Sequence, residues 1–200
     1  MRNKSLSTII LIAACALSTV ASAHIGVDKH THLGFWTGFM HPLTGMDHMA
    51  AMLSVGLWTA LVARRGGSEL LWGPLVFVCV LLEGALLGMQ GVTLPAMEPM
   101  IAASLVMLGL LVLTRLRMPV ALGGALVGVF ALFHGLAHGS ELATSAEANA
   151  TLAGMVCATL LLHLAGLATG WYLRSTNVWL PRTAGAAVAV FGGALLLQLV

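Results

Sequence analysis

PVALGGALVGVFALFHGLAHGS, residues 119–140, is a run without a single lysine, arginine, aspartate or glutamate. About 20 consecutive, mostly apolar residues are what an α-helix needs to cross the hydrocarbon of a bilayer. The rest of the chain has the same character. Of its 200 residues 59% are hydrophobic and 8% charged, with a mean hydropathy of +0.98, whereas soluble domains are about half apolar and about a quarter charged. Outward from this run, comparable stretches occupy roughly 46–63, 70–89 and 97–113 before it, and 150–173 and 183–199 after it. The expected fold is therefore an all-α integral membrane protein, a bundle of about six transmembrane helices forming one domain over 24–200. The first helix is expected to begin as early as Gly34 and to be broken or kinked at Pro42, because proline removes a helix hydrogen bond and clashes with the preceding turn.

The first 23 residues read as a signal peptide. Arg2 and Lys4 form a basic start, an apolar segment follows, and Ala21-Ser22-Ala23 places small residues where signal peptidase needs them. Ile12-Ala13-Ala14-Cys15 also fits a lipoprotein box, but the segment after Cys15 is apolar rather than a polar tether, which favours cleavage after Ala23. With the mature N-terminus outside, Arg64, Arg65, Arg115, Arg117, Arg174 and Arg182 all fall in cytoplasmic loops, as the positive-inside rule requires. Both termini are then periplasmic, and the location is the bacterial inner membrane. Trp58, Trp72, Trp171 and Trp179 fall near the same inner ends, where an interfacial aromatic belt is expected. A formal net charge of +2 gives no footing for nucleic acid as a partner; the lipid bilayer is the partner that composition demands.

Gly84 with Gly88, Gly124 with Gly128 and Gly166 with Gly170 are spaced four apart, the pattern that lets helix backbones approach closely in lipid. Gly135 and Gly139 thin the fourth helix, leaving room for an ion or for a neighbouring backbone. The first and fourth helices run in opposite directions, which suits an inverted three-plus-three repeat, although the halves share no visible sequence similarity. Cys15, Cys79 and Cys157 form no CxxC pair and read as small packing residues.

Two short stretches concentrate the ionisable side chains: HPLTGMDH at 41–48 and FHGLAHGSE at 133–141. Such groups are expensive in hydrocarbon and mark functional sites when they occur there. His134 and His138 are one helical turn apart, and Glu141 lies three residues further on the same face. Two imidazoles so placed bind one divalent ion, with the carboxylate as third ligand or as the partner that fixes a ring tautomer. Asp47 and His48 sit at the outer end of the first helix, with His41 before them across Pro42 and Gly45. Glu83 and His163, deeper in the second and fifth helices, extend a path. His24 and His32, at the mature start, are placed to capture metal before entry. Imidazole suits nickel, cobalt, zinc and copper alike, so ligand type leaves the ion open. No prosthetic group is indicated.

HPLTGMDH fits an HxxxxxDH signature and FHGLAHGSE an FHGxAHGxE signature, and through both the chain resembles the HupE/UreJ family of bacterial nickel permeases. The exported start, the Ala23-His24-Ile25-Gly26 junction and the GFWTGF run at 34–39 extend the resemblance over essentially the whole chain. It implies a transporter of nickel or cobalt that supplies a hydrogenase or urease, with His41, Asp47, His48, His134, His138 and Glu141 as functional residues. It implies no enzyme. The residues by themselves also accommodate an intramembrane zinc-dependent hydrolase, with Asp47 or Glu141 as base, or a metal sensor or delivery protein.

Overall fold

The computed structural model describes residues 34–198. The expected signal peptide, its cleavage site, Cys15, His24 and His32 lie outside the described residues. Among the described residues the regular structure is helical, without a strand: α1 (Phe35–Thr44), α2 (Met46–Val62), a 3-10 turn (Gly67–Leu70), α3 (Trp72–Met89), α4 (Met97–Thr114), α5 (Val120–Leu142), α6 (Ala148–Leu173) and α7 (Trp179–Gln198). Helices α3 to α7 are long and apolar enough to cross a membrane. Helix α2 is shorter at 17 residues, about 26 Å at 1.5 Å per residue, and α1 precedes it. The six expected helices are all present, with the loosest boundary at the start of α7, expected at 183 and found at Trp179.

The first helix is broken, but not at Pro42. Pro42 lies inside α1, and the turn falls at Gly45, whose backbone is extended at φ −75° and ψ 110°. The proline forfeits only the bond its missing N–H would have made. Across the break the ladder continues, because Gly45 N–H donates to His41 O at 3.0 Å and Met49 N–H donates to Gly45 O at 2.9 Å. One residue thus redirects the chain without orphaning its neighbours. At the far end of α3 the sequence stops the helix with Gly91, at φ 88°. Gly91 N–H donates to Gly88 O at 2.9 Å and Val92 N–H to Leu87 O at 3.1 Å, a Schellman closure that needs the left-handed backbone glycine allows.

Close helix pairs are made by glycine. A Cβ on Gly135 or Gly139 would run into the backbone of Leu81 or Ala85, and one on Gly84 or Gly88 into that of Leu132 or Leu136. The glycines of α5 therefore admit the backbone of α3. Gly56 meets the turn of α6 at His163 to Leu167, while Gly166 and Gly170 meet Leu53 and Leu57 of α2. Gly109 and Gly185 join α4 to α7 in the same way, and Gly38 and Gly154 join α1 to α6. Gly124 and Gly128 are different, since they face only the side chains of Val76 and Val80 at ordinary contact distances.

The three dominant pairs of spanning helices are α2 with α6, α3 with α5, and α4 with α7. Exchanging the first three spans (α2, α3, α4) for the last three (α5, α6, α7) turns the α2–α6 pair into the α5–α3 pair and leaves α4–α7 unchanged. Each half holds an odd number of spans, so the two halves run in opposite senses, the arrangement of an inverted repeat.

Among the described residues the arginines lie just past the ends of α2, α4 and α6, except Arg182, which was expected in a loop and stands in the first turn of α7. Arg174 donates from Nη2 to Ala63 O at 2.9 Å, closing the end of α2, and stacks over Trp171 with 4.3 Å to the ring centre. The amides of Arg65 and Arg64 both donate to Glu69 Oε2 at 2.8 Å, which holds that carboxyl below its ordinary range. Trp58 departs from the expected belt: it is fully buried beside Trp72 and donates from Nε1 to Leu116 O at 3.1 Å. Cys79 and Cys157 are unbridged, as expected, but both are exposed on the outer face of the bundle rather than packed inside it.

Candidate metal centre

Break, helix start and glycine contact together assemble the polar cluster. Helix α1 crosses α6 through Gly38 and brings His41 over the start of α2, where Asp47 and His48 stand in the first turn. Helix α5, held to α3 by Gly135 and Gly139, presents His134 and His138 on its adjoining face.

His41, His48 and His138 each offer a ring nitrogen, all within 4.8 Å of one another. The rings of His41 lie 5.0 Å from His48 and 4.9 Å from His138, both nearly edge to face. His48 Nε2 and His138 Nε2 are 2.9 Å apart. Two nitrogens bound to one ion at about 2.0–2.1 Å are separated by about 2.9 Å when the angle between them is a right angle and by about 3.3 Å when it is tetrahedral. In the structure the two nitrogens of this pair stand at hydrogen-bond distance, a spacing that leaves the identity of an ion as open as the ligand type does.

Hydrogen bonding sets the tautomers. His48 Nδ1–H donates to Asp47 Oδ1 at 2.9 Å, which leaves a lone pair on Nε2. In the absence of an ion, His138 Nε2–H is the donor that satisfies this lone pair. When both Nε2 atoms turn to an ion, the proton of His138 belongs on Nδ1, which has no hydrogen-bond partner among the described residues and lies 3.8 Å from Glu141 Oε2. Asp47 and Glu141 thus flank the histidines from both sides and supply two negative charges against a dication.

The remaining polar residues are distributed unevenly. His134 is wholly buried, its ring 5.6 Å from that of His48. Its Nδ1–H donates to Phe130 O at 2.8 Å, so Nε2 carries a lone pair, for which no partner exists among the described residues. Glu141 is largely solvent-facing, with 69% of its side chain exposed. His163 is buried in α6 against Phe77 and is not part of the trio. Glu83 lies on the exposed outward face of α3, beside Leu82, Leu86 and Leu87, and the fold does not bring it to the histidines. Two residues that reading by charge alone passes over are Gly45, on which a Cβ would stand 3.1 Å from His48 Nδ1 and 3.2 Å from Asp47 Oδ1, and Phe77, whose ring touches both His134 and His163. The irregular position of Gly45 between Pro42 and Asp47 was the available signal for the first; nothing in an apolar run marks the second.

The family model described as HupE / UreJ protein matches residues 12–195. Protein HupE of Rhizobium leguminosarum bv. viciae is 40% identical over 187 residues, which cover 92% of this chain and 94% of that protein. No solved structure matches.

Proposed function

The chain belongs to the HupE/UreJ family, and from that premise we propose that it is a membrane permease carrying a divalent transition-metal ion, nickel or cobalt, from periplasm to cytoplasm for the maturation of a hydrogenase or urease. The observation that carries this reading is the meeting of three imidazoles from three separate helices, His41, His48 and His138, within 4.8 Å. The ion exchanges part of its water shell for these nitrogens, with Asp47 orienting His48 and Glu141 orienting His138. On this reading His134, whose ring lies 5.6 Å from that of His48, is the next nitrogen inward. The ligand set is open rather than closed, as release requires: three nitrogens from three elements leave coordination positions for water. The ion is cargo, and no catalytic role is assigned to any residue. On the same reading, residues 1–23 are a signal peptide and His24 and His32 capture ions ahead of the cluster.

The test is purified protein in liposomes that enclose a metal-sensitive dye. Expected is saturable nickel entry, competed by cobalt and not by magnesium, without cleavage of lipid or added peptide. Binding without entry would replace the permease with a sensor or delivery protein, and cleavage without entry would replace it with a hydrolase.

A further inference from the structure

His163 stands outside both signature stretches and is wholly buried, yet among the described residues neither of its ring nitrogens has a hydrogen-bond partner. A buried imidazole always presents at least one N–H donor and one lone pair or second donor, and leaving these unmet destabilises the fold. Such a residue is badly explained as scaffolding. Its surroundings point to a different use. The ring meets Phe77 edge to face, with centroids 5.1 Å apart, and Phe77 also makes a ring contact with His134, at 5.7 Å. Phe77 is itself fully buried, so the two imidazoles share one buried phenyl ring as a neighbour.

Helix direction brings the two imidazoles toward each other. Side chains lean toward the N-terminus of their helix. Helix α5 starts at the arginine-bearing end of the bundle, so His134 leans that way, as its bond to Phe130 O shows. Helix α6 starts at the opposite end, so His163 leans back toward His134. One turn along the same face of α6, Thr159 donates from Oγ1 to Met52 Sδ at 3.3 Å. Hydroxyl, thioether and imidazole therefore line this part of the interior, where hydrocarbon alone would pack as well.

We propose that His163 is a second, inner binding station for the transported divalent ion, reached from His134 past the ring of Phe77. The inference rests on the permease reading and extends it inward from the outer cluster. An ion leaving three imidazoles for one is bound more weakly, which is what onward movement needs.

The experiment is nickel entry into proteoliposomes carrying wild type, His163→Leu or His163→Gln at matched incorporation, together with equilibrium nickel binding and thermal unfolding of each. Leucine fills a similar volume without unmet polar atoms. Expected for His163→Leu is a maximal entry rate at least tenfold lower, equilibrium nickel binding within twofold of wild type, and a melting temperature equal to or above wild type; His163→Gln is expected to lose rate as well. Entry at the wild-type rate in either variant overturns the proposal. So does a lowered melting temperature in both variants, since a structural imidazole would behave that way. If wild type itself admits no nickel, it is the permease reading that fails, whatever the variants do.

Discussion

A carboxylate on one nitrogen of an imidazole decides what the other nitrogen can do, and at His48 that carboxylate is Asp47, 2.9 Å away. Asp47→Asn keeps the shape but lets the side chain offer an N–H to Nδ1, which stabilises the tautomer that cannot bind an ion through Nε2. Apparent nickel affinity is expected to fall about 10–100-fold, the usual cost of losing such a partner, read from the concentration dependence of uptake at equal protein levels. Gly45→Ala acts on the same pair by crowding, since its Cβ would stand 3.1 Å from His48 Nδ1 and 3.2 Å from Asp47 Oδ1. The backbone there is extended and strains no side chain, so protein level should be normal while half-saturation rises several-fold; an unchanged half-saturation would show that the pair yields freely. At this scale the sequence was readable where spacing is short. His134 and His138 share a helix face by arithmetic, and their separation from His41 and His48 was bridged only by charge being costly in lipid. Which three rings converge was not readable, because that depends on a one-residue break whose position Pro42 obscured.

Glycine does for the helices what charge does for the site. Gly135 lies between the two histidines of α5, and a side chain there would strike the backbone of Leu81 rather than a movable group. Gly135→Val is therefore expected to destabilise the bundle by about 1–3 kcal/mol, the range for overpacking, and to push His134 and His138 off their neighbours. Gly124→Ala, facing Val76 at 3.9 Å, is expected to stay within about 0.5 kcal/mol. Thermal unfolding in detergent compares the two, and equal losses would mean that α3 and α5 do not meet through glycine. Spacing four apart announced these contacts at Gly84 and Gly166 and announced one too many at Gly124, for repetition alone does not say which face a helix turns inward. Glu83 shows the same limit. Helix α3 is apolar all round, so no hydrophobic stripe marks its inner face, and a carboxylate expected on the path stands on the outward surface.

Across the whole molecule, alternation of six helices was legible because each apolar run is long and each second loop is basic; the pairing of helices was not, because lipid-facing and protein-facing surfaces have the same composition. The arginine-bearing end should face the cytoplasm. In a variant with Cys79 and Cys157 replaced by serine, Ala146→Cys is expected to react with an impermeant thiol reagent on intact cells, and Ser68→Cys only after permeabilisation; the reverse pattern would invert the protein. The meeting of the two halves at one histidine cluster is the centre of the account, and X-ray absorption of purified protein carrying one nickel ion tests it most directly. The predicted result is a nickel ion surrounded by imidazole nitrogens and light-atom oxygen neighbours, with imidazole scattering reduced in each of His41→Ala, His48→Ala and His138→Ala. A spectrum without imidazole, or one identical in wild type and all three variants, would contradict it.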